Sequence, residues 1–158
     1  MDILRLAEIS HFCADFLDGS HPPQGDGLEK KQQPSSRIKR VMVVDDEMLI
    51  AESLVDILRG EGFQAIAVSD GAAAVKWAEF LRPDAILCDI AMPGLDGFEV
   101  AKQVRELSPN CRIILFSGHA SIQSRVANMP RENNDFEFIA KPVRPEAILK
   151  MLSDPNTN

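Results

Sequence analysis

Val41-Met42-Val43-Val44-Asp45-Asp46 is an apolar run of strand length that closes on two carboxylates. The same form recurs three times downstream. Ala85-Ile86-Leu87-Cys88-Asp89 closes on a third carboxylate, Ile113-Ile114-Leu115-Phe116-Ser117 on a hydroxyl, and Phe138-Ile139-Ala140-Lys141-Pro142 on an ammonium and a proline. In a parallel sheet the carboxyl ends of the strands share one edge, and open α/β sheets bind ligands there. Three acids, a serine and a lysine therefore converge.

The spacing around these runs supports the parallel sheet. Strand-like stretches begin near Val41, Gln64, Ala85, Arg112 and Phe136, separated by 23, 21, 27 and 24 residues. Each interval has room for one crossover helix. The periodicity predicts helices over Met48–Leu58 (closed by Gly60 and Gly62), Ala72–Leu81 (capped by Ser69 or Asp70), Phe98–Leu107, Ser121–Met129 and Pro145–Leu152. Asp96 with Glu99 three residues on is a variant of the capping box. Strands alternating with helices imply right-handed crossovers and helices on both faces of one sheet. Phe136-Glu137-Phe138-Ile139 is less apolar than the other runs, which suits an edge strand.

Length and charge narrow the class. A chain of 158 residues, 45% of them hydrophobic, holds one domain with some residues to spare. Residues 39–154 make the α/β domain. Residues 1–38 read as an extension, with a short helix over 2–17 (Ile3, Leu6, Ile9, Phe12 and Phe16 at helical spacing) and a flexible linker from Asp18 to Ser36. Residues 1–40 carry six basic and six acidic residues, so the net charge of -7 falls on residues 41–158. An acidic domain without a basic stripe is not expected to bind nucleic acid directly. Arg37-Ile38-Lys39-Arg40 reads as a solvated strand entry. No apolar run approaches membrane-spanning length, and charges interrupt the start, so a cytoplasmic protein is expected. Cys13, Cys88 and Cys111 have neither disulfide-framework nor zinc spacing.

The converging edge has a definite chemistry. Like charges about 5 Å apart repel by about 1–3 kcal/mol per pair. Asp45, Asp46 and Asp89 therefore either raise a pKa or recruit a cation. Hard oxygen donors open to water suit Mg²⁺, and a carboxylate can act as nucleophile to form an acyl phosphate. Lys141 can offset phosphoryl charge, and Ser117 can donate a hydrogen bond to a phosphoryl oxygen. Singly, each residue is ordinary: an Asp at a strand end is usually a cap, and a lysine before a proline is usually on the surface. Their joint placement is what carries meaning.

Four motifs then stand out: Val43-Val44-Asp45-Asp46-Glu47; Pro83 to Gly97, containing Asp89-Ile90-Ala91-Met92-Pro93-Gly94-Leu95-Asp96-Gly97; Ile114-Leu115-Phe116-Ser117-Gly118; and Ala140-Lys141-Pro142. On these motifs residues 39–153 resemble the receiver domain of two-component response regulators. The resemblance implies a flavodoxin-like five-stranded parallel sheet of order 2-1-3-4-5. By position it makes Asp89 the phosphoacceptor, gives Mg²⁺ to Asp45, Asp46, Asp89 and the backbone carbonyl of Ala91, and puts Ser117 and Lys141 on the phosphoryl group. Phe138 takes the place of the aromatic switch residue, and the Lys141–Pro142 peptide is expected to be cis.

The implied partner is a sensor histidine kinase or a phosphotransfer protein, and catalysis is limited to the chain's own phosphorylation and dephosphorylation. With no output domain after the receiver, the expected action is on another, unidentified protein. Ala91 has no side chain to orient a hydrolytic water, so a long-lived phosphoryl state is expected, although His119 could supply that role. Two alternatives remain: an unphosphorylated receiver used as a protein-interaction scaffold, and a flavin enzyme on the same fold. The acidic Asp45-Asp46-Glu47 disfavours the second, since it would repel a flavin phosphate.

Overall fold

The computed structural model describes residues 39–118 and 136–153. Among the described residues five strands and four helices follow in order: β1 (Arg40–Val44), α1 (Met48–Gly60), β2 (Gln64–Val68), α2 (Gly71–Leu81), β3 (Ala85–Asp89), α3 (Gly97–Leu107), β4 (Arg112–Ser117), β5 (Glu137–Ala140) and α4 (Pro145–Ser153). All strands pair in parallel, in the order β2-β1-β3-β4-β5. This is the flavodoxin-like arrangement, with β5 on an edge as its mixed composition implied. The expected helices over 2–17 and Ser121–Met129 lie outside the described residues.

Strand alternation sorts the side chains between two faces. Val41 and Val43, Ala85 and Leu87, and Ile114 and Phe116 share one face. There they pack with Ala51, Leu54, Val55 and Leu58 of α1 and with Ile148 and Leu152 of α4. The α1 set falls at i, i+3, i+4 and i+7, the stripe that an amphipathic helix buries. Each such large side chain stabilises the fold by about 1.5–3 kcal/mol relative to exposure. The alternate set, including Met42, Ile66, Ile86, Cys88, Ile113 and Leu115, is buried as well. It lies under α2 and α3, which pack against each other. Both faces are covered, which explains the unbroken apolar runs.

Helix ends follow the local sequence. Asp70 caps α2 by accepting from the Ala73 N–H at 2.7 Å, so that helix begins at Gly71, one residue before the expected start. Asp96 accepts from the Phe98 and Glu99 N–H groups while the Glu99 carboxylate accepts from the Asp96 N–H, closing the expected capping box. Past the end of α1, Gly62 turns the chain with φ +92°.

The amino edge of the sheet is pinned by charge. Asp84 accepts from the Arg40 and Lys39 N–H groups at 2.8 and 3.1 Å, and its other oxygen takes the Arg40 guanidinium at 3.1 Å. Arg40 also donates to the Leu81 carbonyl. The last residue of the basic tetrad is thus half-buried and ties β1 to β3, more than a solvated strand entry. On the next pair of strands, Arg112 grips Glu137 at 2.9 Å and donates to the Met151 carbonyl, joining β4, β5 and α4.

Candidate functional site

The alternation that builds the core also builds the opposite, carboxyl edge. Asp45 continues the Val41, Val43 face, Asp89 the Ala85, Leu87 face, and Lys141 the Glu137, Ile139 face. All three belong to the same side of the sheet, where the strands end. Their tips meet: Lys141 Nζ lies 2.8 Å from Asp89 Oδ2 and 3.2 Å from Asp45 Oδ2.

Asp45 is fully buried and Asp89 is 4% exposed, whereas Asp46 is exposed. Asp45 Oδ1 accepts the Glu47 N–H at 2.9 Å. Asp89 Oδ1 accepts the Ala91 N–H at 3.3 Å. One oxygen from each of the three acids falls within 4.8 Å of the others. A hard, all-oxygen donor set with one exposed member leaves room for water ligands, and that fits Mg²⁺ better than a metal preferring nitrogen or sulfur.

The electrostatics follow from burial against pairing. Burial pushes the Asp45 carboxyl above its usual range, against the lowering effects of the Glu47 N–H and of Lys141. Burial works the other way on Lys141, but the hydrogen bond and charge of Asp89, with the charge of Asp45, raise its pKa. The ammonium therefore stays charged beside the acids. Cys88, one residue before Asp89, is a different case: burial, then the Asp89 and Asp45 charges, push its thiol well up. That fits a packing residue and no redox role.

The loop after Asp89 is held by α3. The Gly97 N–H donates to the Ile90 carbonyl at 3.1 Å, and a Cβ at Gly97 would come 2.2 Å from the Asp89 carbonyl oxygen. Only glycine allows so close an approach. Ala91 is exposed in this loop. Ser117 ends β4 opposite Ala140, which puts its backbone at the same edge. Phe138 is half-buried on the other face, its ring 6.2 Å from that of Phe98. The Lys141–Pro142 peptide is cis. His119 lies outside the described residues.

Two neighbours escaped the sequence reading. Gly97 was visible only as part of a motif, and the approach that requires it is backbone to backbone. Phe116 was visible only as part of an apolar run, yet the Lys141 ammonium lies over its ring at 5.3 Å. The i, i+2 alternation puts Lys141 on the Ile139 side of β5, but only the β4–β5 register brings that side to Phe116.

Known proteins share this pattern. The family model of the response regulator receiver domain matches residues 41–153. The "DNA-binding response regulator MtrA" of Mycobacterium leprae is 32% identical over 70% of this chain and 48% of its own length. "Response regulator MprA" of Mycobacterium sp. (strain KMS) is 34% identical over 72% of this chain and 48% of its own. The chain thus spans about half the length of the curated relatives it matches. Among solved structures, a CheY-like receiver domain protein from Methanospirillum hungatei is 28% identical, with a TM-score of 0.63 over 72% of this chain and 90% of that one. Chemotaxis protein CheY4 of Vibrio cholerae is 28% identical, with a TM-score of 0.60 over 73% of this chain and 96% of its own.

Proposed function

The chain belongs to the response regulator receiver family, and from that premise we propose that it is a Mg²⁺-dependent phosphorelay switch whose phosphoacceptor is Asp89. The observation that carries this reading is the state of the Asp89 carboxylate. It is nearly buried, one oxygen lies on the Lys141 ammonium and the other on the Ala91 N–H, and two further carboxylates stand beside it.

The phosphoryl donor is a phosphohistidine on a sensor histidine kinase or phosphotransfer protein. An Asp89 oxygen attacks phosphorus, the new P–O bond forms, and the P–N bond breaks with its electron pair returning to the imidazole. Asp45, Asp46, Asp89 and the Ala91 carbonyl would hold Mg²⁺, which would supply positive charge to offset that of the transferred group. Lys141 supplies more, passing donors from Asp45 and Asp89 to a phosphoryl oxygen. Charge-assisted bonds of this kind are about twice as strong as neutral ones.

Ser117 then moves toward the phosphoryl oxygens and Phe138 rotates, altering the β5–α4 side for a downstream protein. Moving a population from mostly inactive to mostly active takes about 5.5 kcal/mol of differential stabilisation. The DNA binding in MtrA's name belongs to that protein, and the acidic balance of residues 41–158 favours no direct nucleic-acid contact here. Among the described residues no helix is long and apolar enough to cross a membrane.

A scaffold that is never phosphorylated is the competing reading, and beryllofluoride, a mimic of the acyl phosphate, separates the two. With Mg²⁺ present it should shift backbone NMR resonances at Asp89, Ser117 and Phe138. Resonances that stay in place at saturating beryllofluoride would support the scaffold.

A further inference from the structure

The lysine of the acid pocket stands on an aromatic ring. In the β4–β5 register Ile139 lies opposite Phe116. Lys141, two residues beyond Ile139, projects to the same side, and its Nζ comes to 5.3 Å from the Phe116 ring centroid. That is inside the roughly 6 Å within which a cation is attracted to the negative face of a ring. Phe116 is fully buried, with Asp89 opposite it on β3 and Ile139 opposite it on β5. Apolar packing alone would be met there by Ile or Leu, as at Ile113, Ile114 and Leu115.

Among the described residues the ammonium has three contacts: Asp89, Asp45 and this ring. The two carboxylates are the groups from which its donors must turn when a phosphoryl group arrives. The ring takes up no donor and faces the charge from one side. We infer that Phe116 is a positioning residue that fixes the Lys141 ammonium over the acid pair by cation–π attraction, so that it is in place for phosphoryl transfer. The consequence for transfer rests on the reading of Asp89 as phosphoacceptor, but the positioning does not.

The test uses the full chain, with Phe116 replaced by mono-, di- and trifluorinated phenylalanine, which drains the ring face with little change in size. Phe116→Leu is made alongside. Two quantities are read: the NMR order parameter of the labelled Lys141 ε-methylene in unphosphorylated protein, and the second-order rate of phosphoryl uptake from acetyl phosphate with Mg²⁺. The order parameter should fall stepwise with fluorination while the melting temperature of the fluorinated proteins holds. The uptake rate should fall about five-fold across the series. An order parameter flat across the series overturns the inference, whatever the rates do. A stepwise fall in order, together with no uptake at all by the unsubstituted protein, instead overturns the reading of the pocket and leaves the positioning contact standing.

Discussion

At Asp45 the fold accepts a cost to keep a charge. Burial outweighs the Glu47 N–H and Lys141, so the folded carboxyl holds its proton more tightly than its unfolded value of 3.8. Between that value and the raised native one, the folded state binds more protons than the unfolded chain, and stability falls as pH rises. Above that raised value the ionised group is a net burden on the fold. Asp45→Asn keeps an oxygen for the Glu47 N–H and removes the burden. Urea titrations without divalent cation should find it about 1 kcal/mol more stable than wild type, and Mg²⁺ should stabilise it less. Asp84 has the opposite sign. Burial would raise it, but the Arg40 side chain with the Arg40 and Lys39 N–H groups lowers it below 3.8. Its stabilisation is present above 3.8 and is lost as pH falls through the native value. Asp84→Asn should therefore be less stable than wild type at pH 7, with the gap closing below about pH 3.8 in an acid titration followed by circular dichroism.

Among the elements, the β3–α3 junction decides where Asp89 sits. Asp96-Gly97-Phe98-Glu99 was legible as a helix start because its capping box is local: two side chains three residues apart. The strands were legible for a similar reason, each an apolar run ended by a polar residue. Gly97 was not, because its neighbour is the Asp89 carbonyl, brought near only when the loop folds back. Gly97→Ala should cost about 2–3 kcal/mol through forced displacement of backbone, and by moving Asp89 it should lower phosphoryl uptake as well. Gly60→Ala is the control. A Cβ there meets nothing within 4 Å, so thermal melts should put it at or slightly above wild type.

Over the whole molecule, the sequence specified the strand order only through resemblance, and the convergence of Asp45, Asp89 and Lys141 through the geometry of parallel sheets. What lay beyond it were contacts between strands whose register no local pattern states. These are the Arg40 fork on Asp84, the Arg112 grip on Glu137, and Lys141 over Phe116. Each joins residues at least 25 apart in sequence. We propose residues 39–154 as the self-sufficient receiver and residues 1–38 as an extension to it. The most direct test of the switch is the intact mass of full-length protein after incubation with acetyl phosphate. Wild type with Mg²⁺ should gain one phosphoryl group, while Asp89→Asn, and wild type with the Mg²⁺ chelated, should gain none. A phosphoryl group on the Asp89→Asn variant, or none on wild type at any Mg²⁺ concentration, would contradict Asp89 as the phosphoacceptor.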